Sequence, residues 1–226
     1  GKEPESKGTR HTKSRNLNMV EGSIPSGKAA AGASAAASSG SLGSLPAKAA
    51  KAAVEGDEGA LLSWLDSGGR VNATGGAGNL SGTTTLMLAA SNGHERVVEL
   101  LLQRGAEVNQ QNSDGGTALM WAASNGHERV VELLLQHGAE VNAQANDGVT
   151  ALMLAARNGH ERVVELLIRR GSEVNLQDSK GLTALMFAAT QGHERVVGLL
   201  IRRGAEINLQ DSGGGTALMY AAIFNH

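Results

Sequence analysis

At 226 residues and a net charge of −2, the chain has length for one or two ordinary domains and lacks the basic excess of a nucleic-acid binder. It contains no cysteine, which excludes a disulfide framework and any thiolate metal site. No apolar run approaches the roughly 18–20 residues that a membrane-spanning helix needs.

Residues 1–46 cannot build a core. They carry six Lys/Arg against three Asp/Glu, and Gly27 to Leu45 is almost entirely Ala, Ser and Gly. Such a segment buries too little apolar surface to offset its chain entropy, so an extended or disordered tail is expected unless a partner binds it. Gly1 to Arg15 is polar and lacks the apolar core of a secretory signal. The first residue is Gly rather than Met, which leaves room for a removed targeting peptide. An intracellular location is expected, either cytoplasmic or organellar, with a plastid as one option.

Ala47–Glu55 is alanine-rich and favours a helix, and Gly56 breaks it. Asp57 opens a second helix with Leu61, Leu62 and Leu65 on its apolar side. A connection rich in Gly and Thr follows, four residues longer than its later counterparts. Residues 47–83 thus read as a degenerate first unit of something that then repeats.

The repeat has a period of 33 residues: Thr117-Ala118-Leu119-Met120 recurs from Thr150, Thr183 and Thr216, and a variant begins at Thr84. Gly-His-Glu-Arg-Val-Val recurs in step from Gly93, Gly126, Gly159 and Gly192. A fixed period of this length marks stacked supersecondary units rather than one closed core. The units are 84–116, 117–149, 150–182 and 183–215, with 216–226 as a truncated last one.

One unit shows the physical logic. Thr117 is an N-cap residue before a short apolar helix with Leu119, Met120, Ala122 and Ala123. Gly126 supplies a tight turn, and His127 to about Gln136 forms a second helix with Val130, Val131, Leu134 and Leu135 on one face. Gly138 sits where a helix ends in a left-handed residue, and Asp147-Gly148 is a turn dipeptide. Neither helix buries its apolar stripe alone.

The period, the Thr-x-Leu-x-x-Ala-Ala opening, the Gly-His turn, the Val-Val-x-Leu-Leu helix and Gly-Ala-Glu-Val-Asn together resemble the ankyrin repeat over residues 47–226. The resemblance implies an all-α solenoid of helix-turn-helix units with hairpin-like loops. It departs at the opening, where the family's Pro and His are Ala118 and Met120, so Met must serve by packing.

Catalytic chemistry finds no support. His94-Glu95 begins like a zinc-protease motif, yet position i+4 is Val98, and every unit repeats the failure. The four histidines, one per unit, are expected to cap the second helix and bridge neighbouring units. The Thr74–Thr84 stretch is glycine-rich but lacks the Lys-Ser/Thr of a phosphate loop. No cofactor, metal or catalytic set is expected.

Units 84–116 and 117–149 differ at seven of 33 positions, which is where individual recognition would reside. By the resemblance, hairpin tips and the concave side of the first helices bind folded proteins. That implies contact residues Ser113, Asp114, Gly116, Trp121, Ser124 and Asn125; then Asn146, Asp147, Val149, Arg157 and Asn158; then Ser179, Lys180, Leu182, Thr190 and Gln191. Trp121 and Tyr220 are either helix packing or contact anchors on the inner groove. Arg104, His137, Arg169-Arg170 and Arg202-Arg203 form a basic ladder, set either by the helix dipole or by an acidic partner. The last helix is expected to expose Leu218, Met219 and Phe224, an apolar patch open to a partner or to a continuation of the array. The expected function is a non-catalytic protein–protein interaction module, an accessory or linker subunit binding several subunits of a larger complex. That complex is one with which a chain lacking a membrane span associates peripherally. The alternative is a regulatory fragment of a larger enzyme or channel, cut at residue 226.

Overall fold

The computed structural model describes residues 44–76 and 81–224. Most of the tail expected over residues 1–46 therefore lies outside the described residues, as do Asn225 and His226.

The described residues form a succession of helix pairs: α1 Ala47–Glu55 with α2 Glu58–Asp66, α3 Thr85–Ser91 with α4 Glu95–Gln103, and α5 Ala118–Ser124 with α6 Glu128–Gln136. Then come α7 Ala151–Arg157 with α8 Glu161–Arg169, α9 Ala184–Thr190 with α10 Glu194–Arg202, and α11 Ala217–Phe224. First helices α1, α3, α5, α7, α9 and α11 touch in one row, and second helices α2, α4, α6, α8 and α10 in another. The result is an all-α solenoid with one continuous hydrophobic core.

Small side chains set how close the first row packs. Ala89, Ala90, Ala122, Ala123, Ala155, Ala156 and Ala188 are fully buried between helices. Each seven-residue first helix is too short to persist alone and is fixed by this packing. Its start is capped as the sequence predicts. Thr84, Thr117, Thr150 and Thr183 accept the amide of the Met three residues on, at 3.2–3.3 Å. Met87, Met120, Met153 and Met186 are buried, so methionine here acts by packing.

The expected long loop at Thr74–Thr84 differs in detail. Its ends pair as an antiparallel ribbon, β1 Thr74–Gly75 against β2 Thr83–Thr84, and the Leu45 amide donates to Thr74 O at 2.8 Å. Threonine favours an extended backbone, and pairing satisfies the polar groups that a bare loop would leave beside the core.

The histidines bridge units but do not cap by side chain. The second helices begin at Glu95, Glu128, Glu161 and Glu194, with the His one position outside and making no side-chain cap bond. Each ring instead reaches the preceding unit. Nε2 of His94, His127, His160 and His193 lies 2.7–3.0 Å from the carbonyl oxygen of Val54, Ser91, Ser124 and Arg157. A carbonyl only accepts, so Nε2 carries the proton and donates. The ring lies on the turn glycine of the unit before. A Cβ on Gly126 would meet His160 Nδ1 at 2.5 Å, and its φ of 75° is left-handed. Glycine there serves the turn and the joint at once.

Two expectations follow. Val131 is fully buried on α6, so Val131→Asp places an unpaired charge in the core and should lower stability by several kcal/mol, about 3 or more, in urea unfolding. Burial, and then the neighbouring His127 and His193, hold His160 below its ordinary 6.5, against the opposing pull of its Ser124 bond. The unfolded chain therefore binds more protons below that value, so this contribution is complete above 6.5 and is lost as pH falls through the folded pKa. The urea midpoint should fall between about pH 7 and pH 5, and fall less in His160→Asn. Equal pH dependence in the two proteins would contradict this.

Candidate functional site

Turn chemistry builds the hairpin tips. In the tip before α9, Asp178 Oδ1 accepts the amides of Lys180 and Leu182 at 2.9 and 2.8 Å, while Gly181 takes a φ of 79°. Burial pushes the Asp178 carboxyl up, partly offset by those two amides. Asp211 does the same with Gly213 and Gly215, and Asn112 with Asp114 and Gly116. Neighbouring tips are then tied backbone to backbone. Ser113 N donates to Ser81 O, Asn146 N to Asp114 O, Ser179 N to Asp147 O and Ser212 N to Lys180 O, all at 2.8–2.9 Å. The tips form one connected row along the array.

The expected contact residues divide sharply by exposure. Ser113, Asn146, Ser179 and Gln191 are exposed, and Asp114, Asp147, Lys180, Asn125, Arg157 and Asn158 are half-buried. Gly116, Trp121, Ser124, Val149, Leu182, Thr190 and Tyr220 are buried and belong to the stack. For these seven the expectation of a contact surface is corrected, and the reason is the same throughout. Each lies where neighbouring units pack together, so its side of the first row is covered by the stack itself. Trp121 is only 5 % exposed, with Nε1 against Gly116 and without a hydrogen-bond partner. Tyr220 donates from its hydroxyl to Asp211 Oδ2, and burial together with that carboxylate raises its pKa. Phe224, expected exposed, is half-buried against the core.

Some of the exposed and half-buried candidates also serve the joints. Asn125 Nδ2 donates to Trp121 O and to Ser91 Oγ, and Asn158 Nδ2 to Ser124 O at 3.0 Å. Asn146 Nδ2 donates to Ser113 O at 2.8 Å. The basic ladder is largely matched by acids of the preceding unit: Arg104 with Asp66, Arg170 with Glu132 and Arg203 with Glu165. That pairing disfavours an acidic partner along this edge, because the charge is already met.

The apolar patch expected on the last helix is exposed at Leu218 and Met219, and it extends beyond that helix to Ile201 and Ile207, which the sequence reading missed. Ile201, Ile207, Leu218 and Met219 are 47–78 % exposed, the large exposed apolar side chains among the described residues. A groove of about 540 Å³ runs among them, lined by Glu194, Val197, Gly198, Ile201, Ile207 and Leu218. The missed signal was Gly198, where α4, α6 and α8 carry Glu99, Glu132 and Glu165.

Burial makes Trp121→Ala a stability variant: it should cost about 3–5 kcal/mol in urea unfolding. A cost under about 1 kcal/mol would return Trp121 to the list of contact anchors.

The comparisons with known proteins agree with this architecture. The family described as ankyrin repeats, three copies, matches residues 49–145, 86–178 and 152–226. No curated protein sequence matches the chain. With the helix pairs, hairpin row and histidine joints in place, a match spanning residues 49–226 makes the chain a member of the ankyrin-repeat family.

Proposed function

We propose that this array is a non-catalytic accessory or linker subunit that holds several protein subunits of a larger assembly. Ankyrin repeats are protein–protein interaction modules. The observation that supports the finer reading is the row of hairpin tips. Backbone bonds join the tips of successive units, so Ser113, Asn146 and Ser179 are presented along a fixed line. Asp114, Asp147 and Lys180 stand beside them, giving a sequence of charges that differs from tip to tip. Preorganised polar groups lose little entropy on docking, and a long row reaches more than one neighbour. The unit boundaries at 84, 117, 150 and 183 place one tip before each first helix, so contact would be read once per repeat.

The test alters the row without touching the joints. Ser113→Arg and Ser179→Arg combined should leave circular dichroism and the urea midpoint unchanged. Affinity capture from cell extract, read by quantitative mass spectrometry, should lose the partners that the natural chain recovers by about tenfold or more, equivalent to ~1.4 kcal/mol. Undiminished recovery with this variant would overturn the reading.

A further inference from the structure

The outer face of the second helices changes sign along the array. Counted with their C-caps, α4 and α6 carry three arginines against four glutamates, whereas α8 and α10 carry six against three. Most of the change lies at two positions. Arg169 and Arg202 stand where α4 and α6 have Gln103 and Gln136, and Gly198 stands where the other units have Glu99, Glu132 and Glu165. Arg170 and Arg203 are already met by Glu132 and Glu165, the acids that seat each next unit. Arg162, Arg169, Arg195 and Arg202 are a different set and face outward. All four are exposed, and the Arg162 and Arg169 side chains remain so with α10 packed beside them.

Acids within reach of these four are few. Glu128 comes no closer to Arg162 than 3.8 Å, and Glu165 is divided between Arg169 and Arg203. Among the described residues no ion pair holds Arg195 or Arg202. Arg202 lacks an acid one turn back. A Cβ on Gly198 would meet its Nη1 at 3.3 Å, so the guanidinium lies over bare helix on the side of Arg195. Arg195, Gly198 and Arg202 are spaced i, i+3 and i+7 on one side of α10, which sets the two arginines about 10 Å apart along the axis. Every arginine pair in the array runs within a helix or back to the unit before. The charge deficit at Arg195 and Arg202 is therefore set by residues already in place, α8 behind them and Gly198 between them.

We infer that the outer face of α8 and α10 docks an acidic segment of a partner protein, with carboxylates at Arg195 and Arg202 and further ones at Arg162 and Arg169. A guanidinium takes a carboxylate through two parallel N–H donors, and Arg195 and Arg202 gain such bonds without giving up an existing pair. An arriving anion also relieves the repulsion among clustered cations. Glu161, Glu165 and Glu194 interrupt the positive field. An extended chain places its carboxylates between these acids, whereas the dense phosphates of a bilayer or a nucleic acid meet all of them at once. The net charge of −2 adds no long-range attraction for either polyanion. This surface belongs to the second helices, and the inference stands apart from the hairpin row.

Fluorescence anisotropy of a labelled glutamate octapeptide, titrated with the full 226-residue chain, tests this. Binding should fall at about 1–100 µM in ~50 mM salt and weaken as salt is raised. Arg195→Glu and Arg202→Glu should each loosen it by about tenfold or more. Gly198→Glu returns to α10 the acid of the other units, beside Arg202, and should loosen it by about threefold or more. Arg96→Glu makes the same change of charge at the matching position of α4 and should alter binding by less than about twofold. Circular dichroism should be the same for all of these chains. Absence of binding would overturn the inference. So would a loss in Arg96→Glu equal to that in Arg195→Glu, which would reduce the effect to net charge. Tighter binding to phosphatidylserine vesicles, or to a labelled single-stranded DNA octanucleotide, would also overturn it by assigning the face to a membrane or to nucleic acid.

Discussion

The structure depends on one constraint: a unit of this chain buries its apolar stripe only against the next unit. The four interior first helices have seven residues, and their alanines offer almost no side-chain surface of their own. Their value lies in letting neighbouring helices approach closely, so Leu119, Met120 and their equivalents meet side chains from both adjoining units. Dispersion and hydrophobic burial are therefore held jointly across each joint rather than within a unit. The polar bonds follow the same rule. His to carbonyl, Asn142 to the Glu173 amide and Gln111 to Gln144 O all run from one unit to the next. Apolar contact sets the distance between units, and these bonds set the register.

Rigidity of the hairpin row is a consequence. A tip such as Asp147-Gly148 would be mobile if it hung from a single helix pair. Here its backbone is bonded to the tips on either side, and its own turn is closed by Gly148 N to Ala145 O at 2.8 Å. Surface residues on such a row are placed by the stack, and change of side chain at the tips leaves the scaffold intact. That separation lets a binding module vary its contacts without remaking its core.

The fold was legible because its signals repeat. Thr at the cap, Ala-Ala in the first helix, Val-Val-x-Leu-Leu in the second and Gly at the turns each report a local requirement. Finding them in phase every 33 residues removes the ambiguity that any one of them carries. The site was less legible, for a physical reason. Variation between units marks positions that the stack does not dictate, but exposure is decided only once neighbouring units pack against each other. Trp121, Val149 and Leu182 vary between units and are nevertheless buried, each unit filling its pocket with a different volume. The role of the histidines was half legible. Their spacing indicated a bridge, while the partner, a carbonyl 36 residues earlier, appears only once the units are stacked. Gly198 passed unnoticed because a glycine in an exposed helix reads as a loss of propensity, and its meaning comes from the Glu-to-Arg pairing it interrupts.

The histidine–glycine joint has a consequence for how such a chain changes in length. Every interior joint uses the same lock: a ring from one unit on the bare turn of the unit before, closed by a bond to a helix-end carbonyl. A copied segment of one period carries both halves of that lock. It fits between any two interior neighbours without a compensating substitution, as a link fits a chain. Unequal exchange between repeated stretches of the gene would thus yield foldable products of several lengths. The joint at Gly198 stands apart from this interchangeability, since a copy inserted there would meet a seat whose acid is missing.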